Sequence, residues 1–457
     1  MKVCKFGGSS LADAGQIKKV CNIILSDPER RIVVVSAPGK GVNDPQKVTD
    51  MLITTASAAL SMGREEAQFC MRKITSRYAN IAHELGVDSV TERITADLNA
   101  LLECDTSNPH KFVDMMKAAG EDNSAKLVAA YLTSLGHKAT YVNPGRCGMI
   151  LSDEYGNAKV LDKSFKLLAE SLAEIDGIIV FPGFFGRTES GEIATFPRGG
   201  SDITGAILAA AVGADVYENF TDVDYVYSVN PKLTDDPHPI KVVTYREMRE
   251  LSYAGFNVYQ EEALLPVFKV GIPVNIRNAN NPSCPGTMIV ADRKDSAAPR
   301  VAGIASDSDF TSIYVNKYLM NREIGFGRRL LSILEDEGIS YEHTPTGIDD
   351  MTVIIRDTLL DDTVLERIVA RLKNELGADD VQVERGLSLI VVVGEGMKHG
   401  VGVAAAATSA LSKAGVNISM ISQGSSEVSM IFAVKREHEN AGVKALYDAF
   451  LGKQLLE

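Results

Sequence analysis

The sequence predicts a multidomain α/β protein: a largely parallel sheet with helices on both faces, then two smaller, mutually similar β-α-β-β-α modules. Three observations carry this. Up to about residue 277, β-rich runs alternate with helical ones, the pattern of a parallel sheet. A polar stretch containing Pro282, Pro285 and Pro299 interrupts the alternation and reads as a boundary. Beyond it, a shift of 77 residues lays Thr311–Arg356 on Ser388–Ala433 without a gap.

Taken in order, Val3, Cys4 and Phe6 form a short apolar strand with Lys5 out of place inside it. The chain continues as "GGSS" and then "LADAGQIKKVCNIIL", whose apolar spacing suits a helix packed on a sheet. A strand, a glycine turn and a helix start present N–H groups and a positive dipole end, which favours an anion such as a phosphate. A tight turn with a snorkelling lysine satisfies the same residues, because no complete P-loop or dinucleotide fingerprint is present. "RIVVVS", "GIIVF", "DVYENF" and "IPVNIR" are the next strands, and Gly120–Thr133 and Asp202–Val212 are helical.

Each copy of the repeat reads strand, glycine turn, helix, then two further strands, the first beginning at Ile339 or Val416. Helices at Asp362–Leu376 and Glu439–Phe450 close the copies, giving a ferredoxin-like pattern present twice.

Composition narrows the function. A chain of 457 residues is long enough for two or three domains. A hydrophobic content of 45% with 23% charged residues describes a globular protein. A net charge of −13 argues against nucleic acid as the main partner. Six scattered cysteines and seven dispersed histidines show no C-x-x-C pair and no metal-ligand spacing, so no metal site is expected from protein ligands. The N-terminus does not read as a signal peptide and "GAILAAAVGA" is too short to span a bilayer, so a cytoplasmic location is expected.

Three further stretches bear on chemistry. In "TFPRGGSDITGAILAAAVGAD", Arg198 precedes two glycines, and Ser201 or Asp202 occupies the place of a helix N-cap. The guanidinium suits bidentate capture of a carboxylate or phosphate, unless it is only a solvated arginine beside a capped helix. "NFTDVDYVYSVNPK" offers Thr221, Asp222, Tyr227 and Lys232 after a strand end, which suits a nucleotide, although Asn230-Pro231 is equally an ordinary turn. In "AAGEDNSAKL", Glu121 follows a glycine at what reads as a helix start, where it can pair with a ligand ammonium or simply favour the helix dipole.

Together, "KFGGSS", the "GE" at Glu121, "RGGSD", "TDVDYVYSVNP" and the tandem modules closely resemble aspartate kinase over the whole chain. The resemblance implies an amino-acid-kinase catalytic domain (residues 1–290), a three-layer αβα sandwich with a mainly parallel sheet, followed by two ferredoxin-like ACT domains. It implies that the first ACT domain (307–384) is inserted into the second (299–306 plus 385–457). The implied reaction is ATP-dependent phosphorylation of the L-aspartate side-chain carboxylate, with Mg2+. That carboxylate, with an ordinary pKa near 3.9, is already ionised at neutral pH and needs no general base. The work is then to bring two anions together.

By resemblance, Lys5 neutralises the transferred phosphoryl group and Gly7, Gly8 and Ser9 approach it closely. Arg198 holds the α-carboxylate of aspartate and Glu121 its ammonium. Thr49 and Ser201 contact substrate, Asp202 organises Lys5 and the metal, and Thr221, Asp222, Tyr227 and Lys232 line the ATP site. Met320, Gly325, Tyr341 and Glu342 match effector contacts. The acids Glu323, Glu342, Asp349 and Asp350 suggest a basic end product, lysine first and threonine second, and ACT pairing implies a homodimer or tetramer.

The sequence departs from the commonest pattern at Lys232, at "GEDNSAKL", and at Asn257, where a basic ATP contact is usual. The rival readings are a kinase for another amino acid or a nucleoside monophosphate, and a non-catalytic amino-acid sensor on the same scaffold. A dehydrogenase is more remote, since no G-x-G-x-x-G follows the first strand.

Overall fold

The computed structural model describes residues 1–41, 44–234, 236–256, 263–293 and 299–452. The contacts divide the chain into two units, residues 1–226, 239–249 and 257–294, and residues 227–238, 250–256 and 295–457.

In the first unit the apolar runs become an eight-stranded sheet. Its spatial order is Val242–Thr244, Thr287–Val290, Val274–Asn278, Val216–Thr221, Lys2–Phe6, Arg30–Val35, Ile178–Pro182 and Ala139–Tyr141. All pairings are parallel except that of Val274–Asn278 with Thr287–Val290. The proline-rich stretch read as a boundary therefore holds a strand of this sheet. A three-stranded sheet, Ile150–Leu151, Phe185–Thr188 and Ile193–Thr195, lies in the same unit.

The central strands are apolar on both faces, with Val3, Cys4, Phe6, Val33, Val34 and Val35 fully buried, as a covered parallel sheet requires. Glu218 is the exception on one face. Its carboxylate takes Arg30 Nε at 2.6 Å and Arg277 Nη1 at 2.9 Å, and both guanidinium groups lie over the Phe220 ring.

Three helix starts differ from the sequence reading. "GGSS" itself runs into a 3-10 turn, Gly8–Leu11, and the α-helix begins only at Ala14, with Asp13 accepting the Gln16 N–H at 2.9 Å. Helix Gly200–Val212 is entered through left-handed Gly199 (φ 81°), not capped by Ser201 or Asp202, which lie in its first turn. Glu121 is in the middle of a 26-residue helix, Pro109–Ser134, started by Asn108 and Pro109. That helix is buried nearly all round from Ala118 to Ala129, which erases the one-sided pattern that marks a helix in sequence.

In the second unit, two 14-residue strands, Gly303–Asn316 and Asp380–Val393, pair antiparallel and carry both modules on one five-stranded sheet. Val315, Leu330, Ile333, Val353 and Ile368 build one core along it, and Ile304, Ile390, Leu411, Phe432 and Leu446 build another. The strand expected from Ile339 is absent. The stretch makes only isolated bridges at His343 and Thr346, because Pro345 has no N–H to donate to a ladder. Its counterpart is a regular strand, Met420–Gln423. Among the described residues, no helix is long and apolar enough to cross a membrane.

Candidate active site

The site is built where neighbouring parallel strands of the first unit end. Lys2–Phe6 lies between Arg30–Val35 and Val216–Thr221, so three carboxyl ends and the loops that follow them share one edge, the usual place for a ligand in such sheets. At that edge the Gly7 N–H donates to Phe220 O at 3.3 Å and the Gly39 N–H to Gly8 O at 2.8 Å. The N–H groups of Gly8 and Ser9 have no protein acceptor among the described residues. Gly8 and Gly39 meet backbone to backbone: a Cβ on Gly39 would stand 2.5 Å from the Gly8 carbonyl carbon. Arg77, buried beneath, donates to Ala12 O, Gln46 O and Gly39 O and ties these loops together.

Lys5 is 7% exposed and reaches Asp202 Oδ1 at 2.5 Å. The first turn of helix Gly200–Val212, with Ser201 and Asp202, packs on a strained corner: Phe184 is left-handed (φ 76°) and donates its N–H to Thr204 Oγ1 at 2.9 Å. A Cβ on Gly200 would lie 2.5 Å from the Phe184 ring. Arg198 stands exposed in the turn before this helix and makes no ion pair among the described residues. The strand leading to it is fixed by Asp114, whose Oδ2 accepts the N–H groups of Thr195 and Gly156, both at 2.7 Å.

Glu121 is 5% exposed, and its Oε1 accepts the Ala37 N–H at 3.0 Å while its buried Oε2 has no partner among the described residues. Burial pushes this carboxyl up to about 8, opposed in part by the Ala37 bond. Thr49 is half-buried in the first turn of helix Val48–Ser61, whose first N–H donates to Pro38 O. The Ala37–Gly39 loop thus links the glycine turn, Glu121 and the Thr49 helix. Thr221 ends its strand and accepts the Val223 N–H at 3.3 Å, beside exposed Asp222.

The remaining predicted residues lie elsewhere. Tyr227 and Lys232 are counted with the second unit, and Asn257 lies outside the described residues. In the second unit Met320 is a buried core residue, Gly325 (φ 79°) caps helix Phe326–Asp336, and Tyr341 is 46% exposed. Three of the four acids expected to form a basic-ligand pocket are engaged. Glu323 pairs with Lys317 and Arg329, Glu342 with Arg356 at 2.9 Å, and Asp349 accepts the Leu319 N–H at 2.9 Å, while Asp350 begins strand Asp350–Arg356.

Sequence reasoning passed over Asn219, Tyr217, Asp114 and the Ala37–Gly39 loop. The only available signal was polar residues inside apolar runs, and a second glycine loop after the strand Arg30–Val35.

The chain matches the Amino acid kinase family over residues 1–278 and an ACT domain over 390–450. It is 54% identical to Aspartokinase 3 of Bacillus subtilis over 100% of both chains, and 30% identical to the chloroplastic Aspartokinase 2 of Arabidopsis thaliana over 98% of this chain and 84% of that one. Among solved structures it is similar to Clostridium acetobutylicum aspartate kinase (TM-score 0.85, 36% identity, covering 98% and 100%). It is also similar to E. coli aspartokinase III in complex with aspartate and ADP (TM-score 0.75, 27%, covering 98% and 99%). A lysine and aspartate complex of that enzyme matches with a TM-score of 0.75 at 26% identity, covering 99% of each chain. With the kinase family matched over more than half its length and an aspartokinase matched end to end, the chain belongs to the aspartokinases of the amino acid kinase family.

Proposed function

We infer that the chain transfers the γ-phosphoryl group of ATP to the side-chain carboxylate of L-aspartate, giving 4-phospho-L-aspartate and ADP. The observation that carries the reading is Lys5, a buried cation on Asp202, beside a glycine turn with two unengaged N–H groups. A carboxylate oxygen of the substrate attacks the γ-phosphorus as the bond to the bridging oxygen breaks, and that electron pair leaves with ADP. No proton moves, since the nucleophile is already ionised. Lys5, Gly7, Gly8 and Ser9 offset the charge that two anions bring together.

The substrate's two other groups have counterparts. Arg198, exposed and unpaired among the described residues, takes the α-carboxylate, and Glu121 Oε2, which has no partner among them either, takes the ammonium, with Thr49 and Ser201 alongside. Thr221 and Asp222 face the nucleotide. Tyr227 and Lys232 are proposed for it from the resemblance alone.

The described residues contain no His, Cys, Asp or Glu group able to cage a metal. Mg2+ would be held by Asp202, the carboxylate on Lys5, together with the phosphates, and would supply further charge neutralisation.

We propose also that the ACT domains, divided as 307–384 and 299–306 plus 385–457, bind an end-product amino acid and support self-association. Lysine is the first candidate and threonine the second, with Met320, Gly325, Tyr341 and Glu342 as contacts. The E. coli relative solved with lysine supports this order. We place the enzyme in the cytoplasm. A coupled assay of ADP release with aspartate, glutamate or no acceptor tests the activity. Turnover with aspartate alone is expected, and equal turnover with glutamate, or none with either, refutes it.

A further inference from the structure

We propose that Asn219, helped by Tyr217, is a positioning residue for phosphoryl transfer: it clamps Asp202 so that the carboxylate holds Lys5 in one place. The inference rests on the roles given above to Lys5 and Asp202.

The register brings the parts together. In the parallel pairing of Lys2–Phe6 with Val216–Thr221, Lys5 stands directly opposite Asn219. Side chains alternate along a strand, so while Glu218 meets its arginines, Tyr217 and Asn219 point the other way, toward helix Gly200–Val212. Asn219 Nδ2 donates to Asp202 Oδ1 at 2.8 Å, and Tyr217 Oη donates to the Asp202 main-chain oxygen at 3.1 Å. Asp202 is thus held by both side chain and backbone. Its Oδ1 receives Lys5 Nζ and Asn219 together, and its Oδ2 has no protein donor among the described residues.

Gly205 makes this possible, because a Cβ there would lie 2.4 Å from Tyr217 Oη.

The amide carries a cost that a purely structural residue would avoid. Asn219 is fully buried, and its Oδ1 has no partner among the described residues. A buried carbonyl without a donor is unfavourable, and an apolar side chain of the same shape would remove the penalty. What leucine could not supply is the donor to Asp202. A hydrogen bond to a charged group is stronger than one between neutral groups, and a lysine on four rotatable bonds needs a fixed counter-ion to occupy one position.

The test compares Asn219→Leu, Asn219→Asp and Tyr217→Phe in the full chain, measuring kcat, both KM values and the melting temperature. Asn219→Leu is expected to keep or raise the melting temperature, leave both KM values within about twofold, and lower kcat on the order of tenfold. The groups facing position 219 are Lys5 from one neighbouring strand, Asp202 from the helix and Tyr217 on its own strand. The strand on the other side presents Ile276. An aspartate at 219 keeps the shape of the amide but puts an acceptor where Asp202 needs a donor.

Asn219→Asp should therefore lower kcat at least as far as Asn219→Leu with both KM values little changed, although it is nearly isosteric with the wild type, a response that a packing role would not produce. Full kcat in folded Asn219→Leu or in folded Asn219→Asp overturns the clamp. If Asn219→Leu does not fold, the kcat of Asn219→Asp decides. Tyr217→Phe should show a smaller kcat loss with unchanged KM values, and a rise in KM with unchanged kcat would count against the clamp. Asp202→Ala separates the two levels. Near wild-type activity in that variant would remove the role of Asp202 itself, whereas an inactive Asp202→Ala beside a fully active Asn219→Leu would remove only the clamp.

Discussion

Glu121 gives the sharpest prediction, because its burial ties aspartate binding to pH. With its carboxyl pushed up to about 8, only about one unliganded molecule in ten carries the ionised form at pH 7. If the carboxylate is what meets the substrate ammonium, binding must first ionise it. That costs about 1.4 kcal/mol at pH 7 and shrinks to a few tenths at pH 8. The aspartate KM should therefore fall roughly fifteenfold between pH 6.5 and pH 8.0, with close to one proton released per aspartate bound near pH 7.

Glu121→Gln mimics the protonated form. Its KM should be flat over the same range, and wild type should converge on it toward pH 6. Initial rates of ADP release against aspartate, at saturating ATP and several pH values, give the first quantity. Calorimetry in two buffers of different ionisation enthalpy gives the second. If Glu121→Gln retains the wild-type pH dependence, the ammonium is held elsewhere.

The same burial has a stability consequence of definite sign. An acid whose folded pKa lies above its ordinary value binds more protons folded than unfolded, so stability declines as pH rises from about 4.5 to about 8. Glu121→Gln should raise the melting temperature at pH 8.5 and change it little at pH 5.

Other expectations follow from individual contacts. Lys5→Ala should lower kcat about 10²–10³-fold in a folded protein, since one electrostatic contact to the transferred group is lost; near wild-type turnover would refute the phosphate role of the glycine turn. Arg198→Ala should raise the aspartate KM strongly and the ATP KM little, because the contact is to one substrate only; equal effects on both would move Arg198 to the nucleotide. Titration of wild type with lysine and threonine should show inhibition by at least one of them. Glu342→Ala should weaken it, although the Arg356 pairing of Glu342 means that the affected element is an ion pair and not a free acid. No response to either amino acid in wild type would defeat the regulatory reading.

What the sequence made legible follows from how locally each feature is determined. The strands around Lys5, Val33, Val180 and Ile276 could be read because continuous apolar runs bounded by polar turns have few other uses. The arginine–glycine turn and the strand-end lysine could be read because their residue types already restrict the chemistry. Glu121 reads in sequence as a helix start, and the structure puts it in the middle of a helix. The true start, Asn108-Pro109, is itself a recognisable cap, but the apolar stripe that should follow it is hidden by burial on every side. The acids near Glu323 looked available because their partners come from outside the run. Arg329 lies six residues on, and Arg356 fourteen residues beyond Glu342.

The Lys5–Asp202–Asn219 arrangement shows why the rest stayed out of reach. Lys5 and Asn219 are 214 residues apart, and nothing local to either says that their strands are neighbours. Strand order in a parallel sheet is set by which crossovers pack best over the whole unit. Once Val216–Thr221 pairs with Lys2–Phe6, however, the register leaves little freedom. Position 219 must face position 5, the alternation of side chains sends both toward the same covering helix, and the first turn of that helix carries Asp202. The three residues therefore act as one unit whose members are individually unremarkable in sequence. Perturbing any of them should be judged by kcat more than by stability, because the clamp keeps a buried unpaired oxygen that folding alone would not favour.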